Sequence, residues 1–103
     1  MKIEWTHYAY VQRKRVSDYI RKEFGIRRSR QFKQDVERVQ KQLKLHPNIG
    51  QIDPLFESRV DTYRSVIING QNKLVYRIDD DTINIVAFWD TRSEPEGQAE
   101  QVK

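Results

Sequence analysis

The stretch that decides the fold runs from Tyr63 to Arg92: Tyr63-Arg64-Ser65-Val66-Ile67-Ile68, then Asn69-Gly70-Gln71-Asn72, then Lys73-Leu74-Val75-Tyr76-Arg77-Ile78, then Asp79-Asp80-Asp81, then Thr82-Ile83-Asn84-Ile85-Val86-Ala87-Phe88-Trp89-Asp90-Thr91-Arg92. Three apolar, β-branched runs are separated by two short turn signals, the pattern of a three-stranded antiparallel meander. A four-residue loop over Asn69–Asn72 would place Ile68 opposite Lys73, Val66 opposite Val75 and Arg64 opposite Arg77. A second turn around Asp79–Thr82 would place Ile78 opposite Ile83 and Tyr76 opposite Ile85.

Side chains alternate along a strand, so parity assigns the faces. One face then holds Ile67, Leu74, Tyr76, Ile78, Ile83, Ile85, Ala87 and Trp89, and it is expected to be the core face. The other holds Arg64, Val66, Ile68, Lys73, Val75, Arg77, Asn84, Val86, Phe88 and Asp90, with an apolar centre and charged margins. Two arginines directly opposite each other repel. Either acids elsewhere in the fold neutralise them or they meet an anionic partner.

The remaining sequence supplies a cover for the core face. Ile3-Glu4-Trp5 is a short strand candidate, and Thr6 caps a helix reaching about Phe24, with Tyr8, Val11, Val16, Tyr19, Ile20 and Phe24 at roughly helical spacing. Gly25 stops it. Ser29 is the expected cap of a second helix to about Leu45, whose stripe is Phe32, Val36, Val39 and Leu43. His46-Pro47 ends that helix, because the residue before proline resists helical dihedrals. The fold class is therefore α+β: a two-helix hairpin on one face of a small, mainly antiparallel sheet in the order β-α-α-β-β-β. Trp89, Ile85, Tyr76 and Leu74 are expected to bury against Val36, Val39, Leu43, Tyr19 and Ile20. Gln51–Ser58 reads as an irregular connection with apolar anchors. Residues 1–92 form one domain, and 93–103, polar with Pro95 and Gly97, are expected to be a mobile tail.

Composition bounds the function. The chain has 103 residues, no cysteine and two histidines, His7 and His46, so disulfides and cysteine-based zinc sites are excluded. No apolar run is long enough to span a membrane, and the opening Met-Lys-Ile-Glu-Trp does not read as a signal peptide, so a cytoplasmic protein is expected. The net charge of +4 is unevenly spread: residues 1–46 carry 13 Lys/Arg against 5 Asp/Glu, and residues 47–103 carry 6 against 10. That asymmetry suits a polyanionic partner, nucleic acid or acidic protein. The two helices run too long for a helix-turn-helix reader, and the Arg13-Lys14-Arg15 and Arg27-Arg28-Ser29-Arg30 runs read first as solvated faces.

Catalytic motifs are sparse. There is no glycine-rich phosphate loop, no paired-histidine metal motif and no Ser-His-Asp set, and Asp79-Asp80-Asp81 reads as a solvated turn. No metal or other cofactor is expected. Metal-free RNA cleavage through a 2′-hydroxyl needs cations around the phosphorane and a proton carrier. Arg64, Lys73, Arg77 and Arg92 are the candidates for the first role, converging on one margin of the open face. Arginine is a poor proton carrier, which leaves Lys73 with a depressed pKa, or His46, for the second.

In this order and spacing the chain resembles the RelE/ParE superfamily of type II toxin–antitoxin toxins. The features that carry the resemblance are Trp5 before the first helix, the Leu45-His46-Pro47-Asn48-Ile49-Gly50 turn, Tyr63-Arg64 opening a strand, Leu74-Val75-Tyr76-Arg77-Ile78, and Ile85–Trp89 running into Asp90-Thr91-Arg92. The likeness covers roughly residues 3–95. It implies a growth-inhibiting toxin with a role such as plasmid stabilization, held in a hetero-oligomer by a cognate antitoxin, and one of two activities. RelE-like members are endoribonucleases that cut mRNA on the ribosome with basic residues on the sheet. ParE-like members lack that set and poison DNA gyrase. Carried over by position, Arg64, Lys73 and Arg92 fall at basic catalytic positions, while the cross-strand pairing makes Arg77 and Arg64 the expected phosphate ligands. Val66 falls where a second basic residue is usual, and Gln98 where a tyrosine is usual. Ribosome-dependent cleavage is the first expectation, gyrase inhibition the second, and a small basic RNA- or protein-binding adaptor the third. The antitoxin is expected to bring a C-terminal segment, disordered by itself and acidic or amphipathic, onto an exposed strip of Val66, Val75, Val86 and Phe88.

Overall fold

Thr6 sits in extended backbone and its hydroxyl accepts from the Ala9 N–H, so the first helix starts where a capping side chain satisfies an orphan donor. The computed structural model describes residues 1–92 and 99–102. In chain order it contains β1 (Lys2–Trp5), α1 (His7–Phe24), α2 (Ile26–Leu45), β2 (Gln51–Ile52), a 3-10 turn (Pro54–Phe56), β3 (Arg64–Ile68), β4 (Asn72–Asp79) and β5 (Thr82–Asp90). The five strands lie in the order β1-β5-β4-β3-β2, with β1 parallel to β5 and every other pair antiparallel.

The α+β architecture expected from the sequence is present. The helix boundary is not where Ser29 suggested. Gly25, at φ 94°, is the entire link between the helices, so α2 begins at Ile26. Ser29 is instead buried one turn inside, its Oγ 3.4 Å from that of Ser17 on α1. Gln51–Ser58 is also more ordered than an irregular connection, since it supplies β2 and the 3-10 turn.

Two register shifts separate the observed sheet from the one parity suggests. The β3–β4 loop has three residues: Asn69 and Gly70 both adopt positive φ, Gln71 N–H donates to Ile68 C=O, and Ile68 pairs with Asn72. Arg64 therefore faces Tyr76, not Arg77, and Val66 and Ile68 join Leu74 and Tyr76 beneath the helices. The second shift is a bulge. Ile78–Ile83 and Tyr76–Ile85 pair as expected, but Val75 pairs with Ala87, leaving Val86 as the extra residue. Beyond that point every β5 side chain changes face.

Both faces of the sheet consequently carry a buried cluster, although Ile67, expected on the core face, lies beside Lys73 on the second face and is 54% exposed. On the helix side, Phe32, Val36, Val39 and Leu43 of α2 and Ala9 of α1 pack on Ile68, Leu74, Tyr76, Ile83, Ile85 and Phe88. Phe88, expected on the open face, is 0% exposed, its ring centroid 5.8 Å from that of Phe32 and 6.1 Å from that of Trp5. Trp89 is buried as expected but on the other side, in a cluster with Phe56, Tyr63, Val75, Val86 and Ala87. The strip assigned to an antitoxin is thus not exposed: Val75, Val86 and Phe88 are interior and Val66 is half-buried. Tyr19 is the converse, expected in the core and found exposed, while Ile20 packs on the core's margin. Of the segment expected to be a tail, residues 93–98 and 103 lie outside the described residues. Ala99 and Val102 are buried in the Trp89 cluster, and Arg59 Nη2 donates to the Ala99 carbonyl at 3.0 Å.

Two polar contacts tie the layers together. The buried Tyr76 hydroxyl donates to Pro47 C=O at 2.7 Å and accepts from Gly50 N–H at 3.0 Å, fastening the turn after α2 to the sheet. A Cβ on Gly50 would meet the Tyr76 ring and hydroxyl at 2.8 Å, so glycine is required there by close approach. Asp35, buried on α2, accepts from Asn69 Nδ2 at 2.6 Å, Gln31 Nε2 at 3.1 Å and Arg38 Nη1 at 2.9 Å, fixing the β3–β4 loop to the helix. Burial pushes the Asp35 carboxyl up, but these three hydrogen bonds outweigh it and hold its pKa below the ordinary 3.8.

Tyr76→Phe should cost about 1–3 kcal/mol in urea unfolding, because it strands a buried N–H and C=O. Gly50→Ala should cost a similar amount, about 1–3 kcal/mol, through overpacking. The Asp35 contribution carries a definite sign. A folded pKa below the unfolded value gives stability that is full above about pH 4 and lost as pH falls through the folded value. Melting curves from pH 5 to pH 2 should therefore fall less steeply for Asp35→Asn than for the unaltered chain.

Candidate functional site

The four cations singled out in the sequence do not share a site. Arg64 opens β3 on the helix side, where Nη1 donates to Gly50 C=O at 2.9 Å and Asn48 C=O at 3.4 Å. Half-buried, it completes the Tyr76 fastening at the Gly50 carbonyl. Lys73 and Arg77 lie on the opposite face of β4. At about 3.3 Å per residue they are roughly 13 Å apart along the strand. Arg92 follows the end of β5 at the surface.

Each also has a partner. Lys73 Nζ lies 2.5 Å from Asp53 Oδ2 and 5.7 Å from the centre of the Trp89 ring. Asp53 is buried, with Oδ1 accepting from Leu55 N–H to cap the 3-10 turn. Its Oδ2 accepts no hydrogen bond of good geometry among the described residues, so Lys73 compensates it chiefly as a charge. Arg77 Nε donates to Asp79 Oδ2 at 2.7 Å and Nη1 to the Tyr63 hydroxyl at 3.2 Å, with Asp61 at 3.7 Å. Arg92 binds Asp90 through Nε at 3.0 Å and Nη2 at 2.7 Å, a two-pronged clamp.

Protonation follows these pairings. The Asp79 and Tyr63 hydrogen bonds raise the Arg77 pKa, and the Arg77 bond holds the Asp79 carboxyl below its usual range. The Arg92 bonds lower Asp90, and Asp90 raises Arg92. Every one of these shifts reinforces a fixed charge, and none moves a group toward neutrality. The proton carriers fare no better. Lys73 is committed to Asp53, and His46 is an exposed residue at the end of α2. Gln98 lies outside the described residues. Among the described residues, no cluster of three or more His, Cys, Asp or Glu is placed to hold a metal ion.

Sequence reasoning missed two groups. Asp53 was hidden inside an apparently irregular connection, though an Asp-Pro step is a recognised turn opener. Tyr19, Phe24 and Ile26 were read as helical stripe or left unremarked, yet they are 57%, 56% and 52% exposed at the tip of the helical hairpin. The signal for the second group was that Gly25 leaves the ends of α1 and α2 no sheet to cover.

A helical hairpin on a five-stranded sheet, with its first and last strands parallel at one edge, is the architecture that the RelE/ParE resemblance implies. The profile of the ParE toxins of type II toxin–antitoxin systems, parDE, matches residues 3–95, and the chain belongs to that family. A solved structure described as the chromosomal ParDE toxin–antitoxin system from P. aeruginosa superposes with a TM-score of 0.69 at 21% identity, covering 87% of this chain and 95% of that one. That likeness is one of fold. No curated protein matches in sequence. A toxin of such a system has a cognate antitoxin as its partner. No helix among the described residues is long and apolar enough to cross a membrane.

If the buried Lys73–Asp53 pair serves the fold and the exposed Arg92–Asp90 pair does not, only the loss of Lys73 should appear in stability. Lys73→Ala leaves Asp53 buried and uncompensated. It should cost about 3 kcal/mol, the low end for breaking a buried ion pair, since the Lys73 side chain keeps 17% exposure. Arg92→Ala should leave the chemical denaturation midpoint where it is.

Proposed function

We propose that this chain is a toxin that acts by binding rather than by cleavage, as an inhibitor of DNA gyrase. The observation that carries the reading is the state of Arg64, Lys73, Arg77 and Arg92. They lie on two faces of the sheet and at its end, and each is engaged by a carboxylate or carbonyl. Cleavage of RNA needs several cations converging on one phosphate and a proton carrier beside it. Neutralised, dispersed cations supply neither. Membership of the ParE family points the same way, because the resemblance assigns gyrase poisoning to the branch that lacks the nuclease set.

Induction of the chain in bacterial cells separates the two activities. The expected result is filamentation and SOS induction, with the purified chain inhibiting gyrase-catalysed supercoiling. Rapid loss of translation accompanied by codon-phased mRNA cuts, with supercoiling unaffected, would establish the ribosome-dependent endoribonuclease instead.

A further inference from the structure

Between Tyr19 and Arg30 the sequence carries five cations, Arg21, Lys22, Arg27, Arg28 and Arg30, and one acid, Glu23. That net charge of +4 equals the formal charge of the whole chain. Unlike the sheet cations, none of the five is in an ion pair with a described residue. Lys14, Arg15, Lys33, Lys41 and Lys44 along the helices are likewise in no ion pair with a described residue, so what sets the tip apart is density, five such cations within twelve residues.

The same tip is apolar at its centre. Because Gly25 is the whole link, α1 ends and α2 begins with no room to fold Phe24 or Ile26 inward. Tyr19, Phe24 and Ile26 are all more than half exposed. The Tyr19 and Phe24 rings meet edge to face at 6.3 Å, and the Arg28 guanidinium lies 5.5 Å from the centre of the Phe24 ring. Beside them opens a cavity of about 500 Å³ whose walls are apolar at Ile20, Phe24 and Phe32 and polar at Arg28, Asp35 and Asn69. Exposed rings next to a cavity, rimmed by unpaired cations, have the make-up of an interface centre and its rim.

We propose that this hairpin tip is the surface through which the toxin docks its target, and that the complementary surface is an acidic protein surface presenting an apolar side chain to the cavity. This rests on the binding reading above, under which that surface belongs to gyrase. Charge complementarity requires acid on the partner. Protein is favoured over nucleic acid because Ile26 offers nothing to a base.

The test uses Phe24→Ser and the double variant Arg27→Glu/Arg28→Glu, all at exposed positions. Thermal melting checks that both remain folded. In a supercoiling assay with gyrase holoenzyme and relaxed plasmid, half-inhibition should require at least tenfold more of either variant than of the unaltered chain. Raising salt should weaken the unaltered chain more than the double variant. Folded variants that inhibit as well as the parent overturn the proposal. Should the parent itself fail to inhibit gyrase, the gyrase reading falls, and growth arrest on induction then decides the tip. Arrest lost in both folded variants supports it, and arrest kept in both overturns it. Tight binding of the parent to duplex DNA without gyrase, lost in the double variant but kept in Phe24→Ser, also overturns it by making the partner a nucleic acid.

Discussion

The structure depends on one irregularity, the bulge that lets Tyr76 pair with Ile85 while Val75 pairs with Ala87. Without it, Phe88 would point away from the helices and Trp89 toward them. With it, Phe88 fills the space between Trp5 and Phe32, and Trp89 becomes the centre of a second core. The strand edge beside the bulge is also served. β1 pairs with β5 only as far as Ile85, and beyond it Gln12 Oε1 of α1 accepts from Phe88 N–H at 3.0 Å. A side chain from the helix thus replaces the missing ladder partner, as a buried amide requires.

Placing Trp89 on the second face obliges that face to be covered. The cover comes from the segment between β2 and β3, with Phe56 stacked on Tyr63 at 4.7 Å, and from Ala99 and Val102. Asp53 anchors the start of that cover and Lys73 compensates its charge. Arg77, through Tyr63 and Asp79, secures the far end. The sheet's basic residues Lys73, Arg77 and Arg92 are ion-paired around a two-sided core. The cations outside ion pairs stand mainly on the helices, and five of them gather at the hairpin tip.

Much of this was legible in the sequence, and the failures have specific causes. Thr6 as a cap, Gly25 as a stop, the Phe32–Val36–Val39–Leu43 stripe and the pairing of Ile78 with Ile83 all follow from local rules, and the structure has them. The two register shifts do not. A loop of three residues rather than four depends on Asn69 accepting a left-handed conformation, a cost the Asp35–Asn69 contact offsets from α2, far away in sequence. The bulge leaves no mark in the alternation of Val86, Ala87, Phe88 and Trp89, since all four are apolar. Because strand periodicity is two, each one-residue slip reverses a face. The family could therefore be recognised from element order, while the convergence expected of Arg64, Lys73, Arg77 and Arg92, which depended on faces, is not found.

The claim on which the account turns is the reversal of Phe88 and Trp89, and nuclear Overhauser contacts test it directly. The account predicts contacts from the Phe88 ring to the rings of Phe32 and Trp5, and from the Trp89 indole to the Lys73 side chain, with none from Trp89 to Val36 or Leu43. Contacts from Trp89 to Val36 or Leu43, with Phe88 in solvent, would restore unbroken alternation along β5, reopen the sheet face and contradict the account.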